Sequence, residues 1–99
     1  MKNGYKIAWT RKALTDLDNI ILYLKTNWAE KEVSNFFRKL DKRIDLIAQR
    51  PLLYPQTTTR KNVHRSVLIS QLTIYYRVNK NTVEILTLFD NRQNPKKLK

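Results

Sequence analysis

The sequence predicts an α+β domain in the order β-α-α-β-β-β, a helical hairpin packed on one face of a small, mostly antiparallel sheet. Three observations predict it. The apolar spacing changes from a period of two to a period of about 3.6 just after Trp9. Two consecutive helical stripes follow, the second closed by Pro51. Three alternating segments, separated by short polar turns, complete the chain.

Each element can be justified in turn. Tyr5, Ile7 and Trp9 alternate with Lys6 and Ala8, as in a short half-buried strand. Ala13, Leu14, Leu17, Ile20, Ile21, Leu24 and Trp28 then write one helix face, with Thr10 placed as N-cap. Val33, Phe36, Phe37, Leu40, Ile44 and Ile47 write a second, and Asn27 to Glu30 predicts a capping box ahead of it. Pro51 to Asn62, with two prolines and a Thr57-Thr58-Thr59-Arg60-Lys61 run, reads as a loop. The remaining strands are predicted over Val63 to Ile69, Leu72 to Val78 and Thr82 to Asp90. Ser70-Gln71 forms the first turn, and Asn79-Lys80-Asn81 the second, its asparagines suited to positive φ. In the last strand Val83, Ile85, Thr87 and Phe89 oppose Glu84, Leu86, Leu88 and Asp90. Both faces carry apolar groups, which predicts a central strand. Tyr5, Trp9, Phe36, Phe37 and Phe89 all fall on stripes expected to form the core.

At 99 residues the chain has room for one domain, spanning 1–99. Its 20 Lys and Arg against 8 Asp and Glu give a net charge of +12, and both halves share the excess. Such a balance calls for an anionic partner. No signal peptide is visible and the longest apolar run is the five residues from Ile20 to Leu24, so a cytoplasmic location without membrane association is expected. One Gly, one His and no Cys exclude a phosphate-cradling glycine loop, a thiolate nucleophile and a metal-ligand cluster. No cofactor, metal or small-molecule substrate is expected.

Several motifs now converge. The opening Tyr5-Lys6-Ile7-x-Trp9-Thr10 and the helix pattern Ala13-x-x-Asp16-Leu17-x-x-Ile20 are followed by Tyr76-Arg77-Val78. The chain closes on Val83-Glu84-Ile85-Leu86-x-Leu88-Phe89-Asp90-x-Arg92. In this order and register they resemble the RelE/ParE superfamily of toxins from bacterial type II toxin–antitoxin systems. The resemblance covers nearly the whole chain and implies a growth-arresting toxin held inactive by a cognate antitoxin. It also implies one of two targets. RelE-like members cleave messenger RNA inside the ribosome, whereas ParE-like members inhibit DNA gyrase without known hydrolytic chemistry.

The residues bear on that choice. Cutting RNA with its own 2′-OH needs a base, a cation for the developing charge and an acid for the leaving oxygen. Arg60, Lys61, Arg65, Arg77 and Arg92 are candidate anion- or target-binding cations. His64 is the single histidine, so the catalytic candidates are His64, Arg65, Arg77 and Arg92. Each has a plainer reading: Arg77 as an ion pair with Glu84, Arg92 as a local pair with Asp90, and His64 as a surface or strand-capping side chain. The RelE-like branch, as the resemblance implies, pairs an arginine after the last strand with a C-terminal Tyr or His–Tyr. Arg92 can take the arginine position, but no Tyr or His follows Phe89, and Asp90 stands where many relatives carry histidine. The residues therefore lean toward a ParE-like, gyrase-directed, non-catalytic toxin. A ribosome-dependent endoribonuclease is the alternative, and a basic nucleic-acid-binding module a third reading. The polar face of the second helix, with Lys31, Arg38, Lys39, Lys42 and Arg43, is either a nucleic-acid contact or a solvated face.

Overall fold

The computed structural model describes residues 4–91. Its elements are β1 (Lys6–Trp9), α1 (Arg11–Asn27), α2 (Glu30–Gln49), β2 (Val63–Ile69), β3 (Leu72–Asn79) and β4 (Thr82–Asp90). The four strands form one sheet in the order β1-β4-β3-β2. β4 is central, as its two apolar faces predict. β1 runs parallel to it, from Lys6 beside Thr82 to Trp9 beside Ile85, and the other pairings are antiparallel.

Thr10 makes the joint between sheet and helix. Its side-chain oxygen accepts from the Ala13 N–H at 3.2 Å, and its hydroxyl donates to the Ile85 carbonyl at 2.8 Å. One residue thus caps α1 and fastens the cap to β4. β1 ends there, which would leave the rest of that β4 edge open. Asp16 takes over: its carboxylate accepts the Leu88 N–H at 3.2 Å and the Thr87 hydroxyl. An acid within the apolar stripe of Ala13, Leu17 and Ile20 satisfies a stretch of strand edge that β1 does not reach.

The predicted Asn27–Glu30 capping box does not form. The Asn27 amide donates back to the Tyr23 carbonyl at 2.9 Å, completing α1. α2 begins two residues beyond the expected cap position, at Ala29, where the Glu32 carboxylate accepts the Ala29 N–H at 3.1 Å. α2 ends at Gln49, with Arg50 as C-cap ahead of Pro51. The chain's single glycine meets this last turn: a Cβ on Gly4 would lie 2.9 Å from the Ala48 carbonyl oxygen, to which Tyr5 N–H donates at 2.7 Å.

Two further expectations are corrected. The register slips between Tyr75 and Tyr76, which face Thr87 and Ile85, so Leu86 is an extra residue on β4. Parity changes across this bulge. Val83, Ile85 and Leu88 therefore share the helix-facing core, and Phe89 moves to the opposite face against Tyr75, at 6.3 Å edge-to-face. Tyr5, Trp9, Phe36 and Phe37 do pack in or against the core, whose centre is Ile47, Ile74, Tyr76, Val83 and Ile85. In the β3–β4 turn it is Lys80, with φ 55°, that adopts the left-handed conformation rather than either asparagine.

Candidate functional site

β2 and β3 present alternate residues to two environments. Toward the helices stand His64, Ser66 and Leu68, opposite Tyr76 and Ile74. Away from them stand Arg65 and Val67, opposite Tyr75 and Thr73. Arg65 and Tyr75 line a cleft with Gln56, Thr57, Thr58 and Thr59 from the preceding loop. That loop is held in place by the sheet edge: Arg65 N–H donates to the Pro55 carbonyl at 3.0 Å and Thr57 N–H to Val63 at 2.7 Å.

His64 occupies neither of the positions foreseen for it. It is 5% exposed, stacked on Tyr76 at 5.2 Å with the rings 12° apart. Its Nδ1 lies 2.7 Å from the Tyr54 carbonyl oxygen, and since a carbonyl only accepts, Nδ1 carries the proton. The segment after Pro51 covers this face of β2, which is why a polar side chain at a strand start is buried rather than solvated. Tyr76 is fully buried beside it and donates its hydroxyl to the Pro51 carbonyl at 2.6 Å. Burial pushes the Tyr76 phenol up to about 12, and neighbouring Tyr54 adds to the shift. Neither aromatic reaches the cleft.

The cations divide. Arg77 pairs with Glu84, its register partner, at 3.0 Å, the structural reading given above. Arg65 is a diagonal neighbour of Arg77 on the same face, at roughly 7–8 Å between backbones for such a pair. Arg60 and Lys61 sit in the exposed turn leading to Val63. Thr57 organises that turn: its hydroxyl accepts the Arg60 N–H and donates to the Arg60 carbonyl, both at 3.1 Å. Arg92 and its expected pairing with Asp90 lie outside the described residues. Among the described residues no group of His, Asp or Glu is arranged to hold a metal. The cleft therefore offers one guanidinium, threonine hydroxyls and the Tyr75 phenol. This is a donor set for an anion such as phosphate, and neither an imidazole nor a carboxylate lines it.

A second concavity escaped the sequence reading. Ile7, Trp9, Leu14, Leu17, Phe37 and Ile44 line an open apolar groove where β1 meets both helices. Leu14, 48% exposed, marks its rim and was the signal available: an apolar side chain at the outer margin of a helical stripe.

Comparison with known proteins fits this geometry. Residues 7–95 match the family model described as ParE toxin of type II toxin-antitoxin system, parDE. Toxin ParE1 of Caulobacter vibrioides is 29% identical over 86 residues, covering 86% of this chain and 88% of that protein. Among solved structures, the chromosomal ParDE system from P. aeruginosa superposes with a TM-score of 0.74 at 18% identity, covering 90% of this chain and 98% of the other. The archaeal RelE–RelB complex from Pyrococcus horikoshii OT3 does so with 0.61 at 14%, covering 92% and 99%. The two helices on a four-stranded mixed sheet are thus the RelE/ParE-like fold. The chain belongs to the ParE toxin family of type II toxin–antitoxin systems.

Proposed function

We propose that this toxin arrests growth by a ParE-like, non-catalytic action on DNA gyrase, and that a cognate antitoxin neutralises it. The observation that carries the reading is the burial of His64. The one conventional acid–base side chain of the chain is committed to the Tyr54 carbonyl and the Tyr76 ring. A transphosphorylation site would need it, or an equivalent, on the open face. The match to the ParE family model supports the same branch. The apolar groove between β1, α1 and α2 suits an amphipathic helix of the antitoxin, and the net charge of +12 suits an acidic one.

The ribosome-dependent endoribonuclease is kept as the second reading because Arg65 and Tyr75 share a cleft that would accept phosphate. One pair of measurements separates the two. Purified toxin is added to a gyrase supercoiling assay, and transcript 5′ ends are mapped minutes after induction of the toxin alone. The expected result is blocked supercoiling with intact transcripts. New ends phased to codons, and lost when translation initiation is blocked, would replace this reading with the nuclease.

A further inference from the structure

Helix α2 sorts its charges. At about 100° per residue, Lys39, Lys42, Arg43 and Arg50 fall on one side of the helix, and Asp41 and Asp45 on the other. The two acids line the apolar groove toward β1. Arg43 reaches the β2 edge, and Arg38, Lys39, Lys42 and Arg43 line one surface depression with Asn35 and Leu46, Lys42 also bordering the groove that holds the two acids. Glu32, which lines a neighbouring depression with Lys39, accepts the Ala29 N–H.

Among the described residues, Arg38, Lys39, Lys42 and Arg43 form no ion pair. Arg43 is fixed by neutral oxygens alone, donating to Ser66 Oγ at 2.7 Å and the Val67 carbonyl at 2.6 Å, with its guanidinium 5.5 Å from the Tyr54 ring centroid. Arg38 donates to the Asn35 side-chain oxygen. Neither the Lys12–Asp16 nor the Arg77–Glu84 pair draws a cation from here. We infer that this flank of α2 is a contact surface for the phosphodiester backbone of duplex DNA. Arg38 and Lys39 stand about one turn, roughly 5–6 Å, from Lys42 and Arg43 along a rigid helix, which suits a regular run of phosphates. A single strand is bound through stacking on exposed aromatics, and the aromatic at this surface, Tyr54, already lies under Arg43. The choice of DNA over duplex RNA rests on the gyrase reading, since gyrase works on DNA.

The test uses the toxin and a fluorescein-labelled random-sequence DNA duplex without gyrase, read by anisotropy across a salt series. Lys39→Glu/Lys42→Glu is compared with Lys25→Glu/Lys80→Glu, which changes the net charge equally at exposed positions elsewhere. The flank variant is expected to lose about tenfold or more in affinity and the control less than about threefold. Lys39→Gln/Lys42→Gln, a milder change, is expected to reduce the slope of log affinity against log salt by about 2, near 0.9 per lost phosphate contact. Equal losses in flank and control pairs would overturn the assignment, as would tighter binding to duplex or single-stranded RNA. Unchanged DNA binding with loss of antitoxin capture would instead give the flank to an acidic protein. Supercoiling inhibition, measured separately, can fail while DNA binding stands, so the failure of one reading is distinguishable from the failure of the other.

Discussion

His64 and Arg65 are neighbours in sequence, as are their register partners Tyr76 and Tyr75, yet the two pairs live in different solvents. The first pair is stacked, buried and hydrogen-bonded to backbone carbonyls of the Pro51–Tyr54 segment. The second stands on the open face beside a threonine-rich loop. One step along a strand exchanges a proton-transfer group for a charge-holding one. Strand parity turns the two side chains to opposite faces, and the Pro51–Tyr54 segment covers the face that carries the histidine, so the surface keeps the arginine; the proposed non-catalytic action rests on that exchange.

Substitutions in both environments can break or sharpen this contrast. The largest effect is expected for His64→Ala, which removes the stacked ring and leaves the Tyr54 carbonyl without its donor. A loss of about 2–3 kcal/mol in urea unfolding is expected. Arg65→Ala should stay within about 0.5 kcal/mol of the parent while weakening growth arrest. If His64→Ala kept full stability and lost toxicity, the histidine would have a role at the surface after all.

A smaller effect is expected for Tyr76→Phe, about 1–2 kcal/mol, because the buried Pro51 carbonyl loses its partner. This variant also carries a pH signature. The folded phenol titrates near 12 and the unfolded one near its ordinary value of 10.0, so the native state holds the proton more tightly. That contribution is fully present below pH 10 and is lost as pH rises through 12. Urea midpoints measured at rising alkaline pH should fall for the parent over this window and fall less for Tyr76→Phe.

The smallest effect is expected on the open face itself. Arg77 and Glu84 are paired but partly solvated, so the coupling in a double-mutant cycle of Arg77→Ala and Glu84→Ala should be below about 1 kcal/mol and shrink with salt. A coupling of several kcal/mol would mean that this face is desolvated in solution.

Much of the fold was legible because local rules and global architecture agree. Thr10 caps as its position demands, β4 is central as its two apolar faces demand, and Arg77 meets Glu84 because hairpin register dictates it. Most of the failures depend on contacts distant in sequence, Asn27 with its bond four residues back being the local exception. Alternation put His64 on one face of β2 but could not say that residues 51–56 would cover that face. The bulge at Leu86 reversed parity within a strand whose two faces are almost equally apolar, so no pattern marked the slip. Asn27 was available to cap either helix and was taken by α1. Asp16 was legible as part of a helix motif, but its hold on the β4 edge depends on residues more than seventy positions away. Of the site candidates, the structure brings Arg65 and Arg77 onto one face and withdraws His64, a distinction resting on the loop rather than on the strands.

The pairing of β1 with β4 has a consequence for how the chain is made. Of the described strands, β4 is made last although it lies inside the sheet, and β1 waits for it across 75 residues, with Thr10 reaching the Ile85 carbonyl. Until β4 emerges, the helical hairpin has only the β2–β3 ribbon to close on, and closing so long a loop is slow. Completion of the sheet thus waits for β4, and a product cut short before Thr82 lacks both an inner strand and the partner of its first strand. In a type II toxin, copies cut short before β4 therefore lack the finished surface that β4 completes.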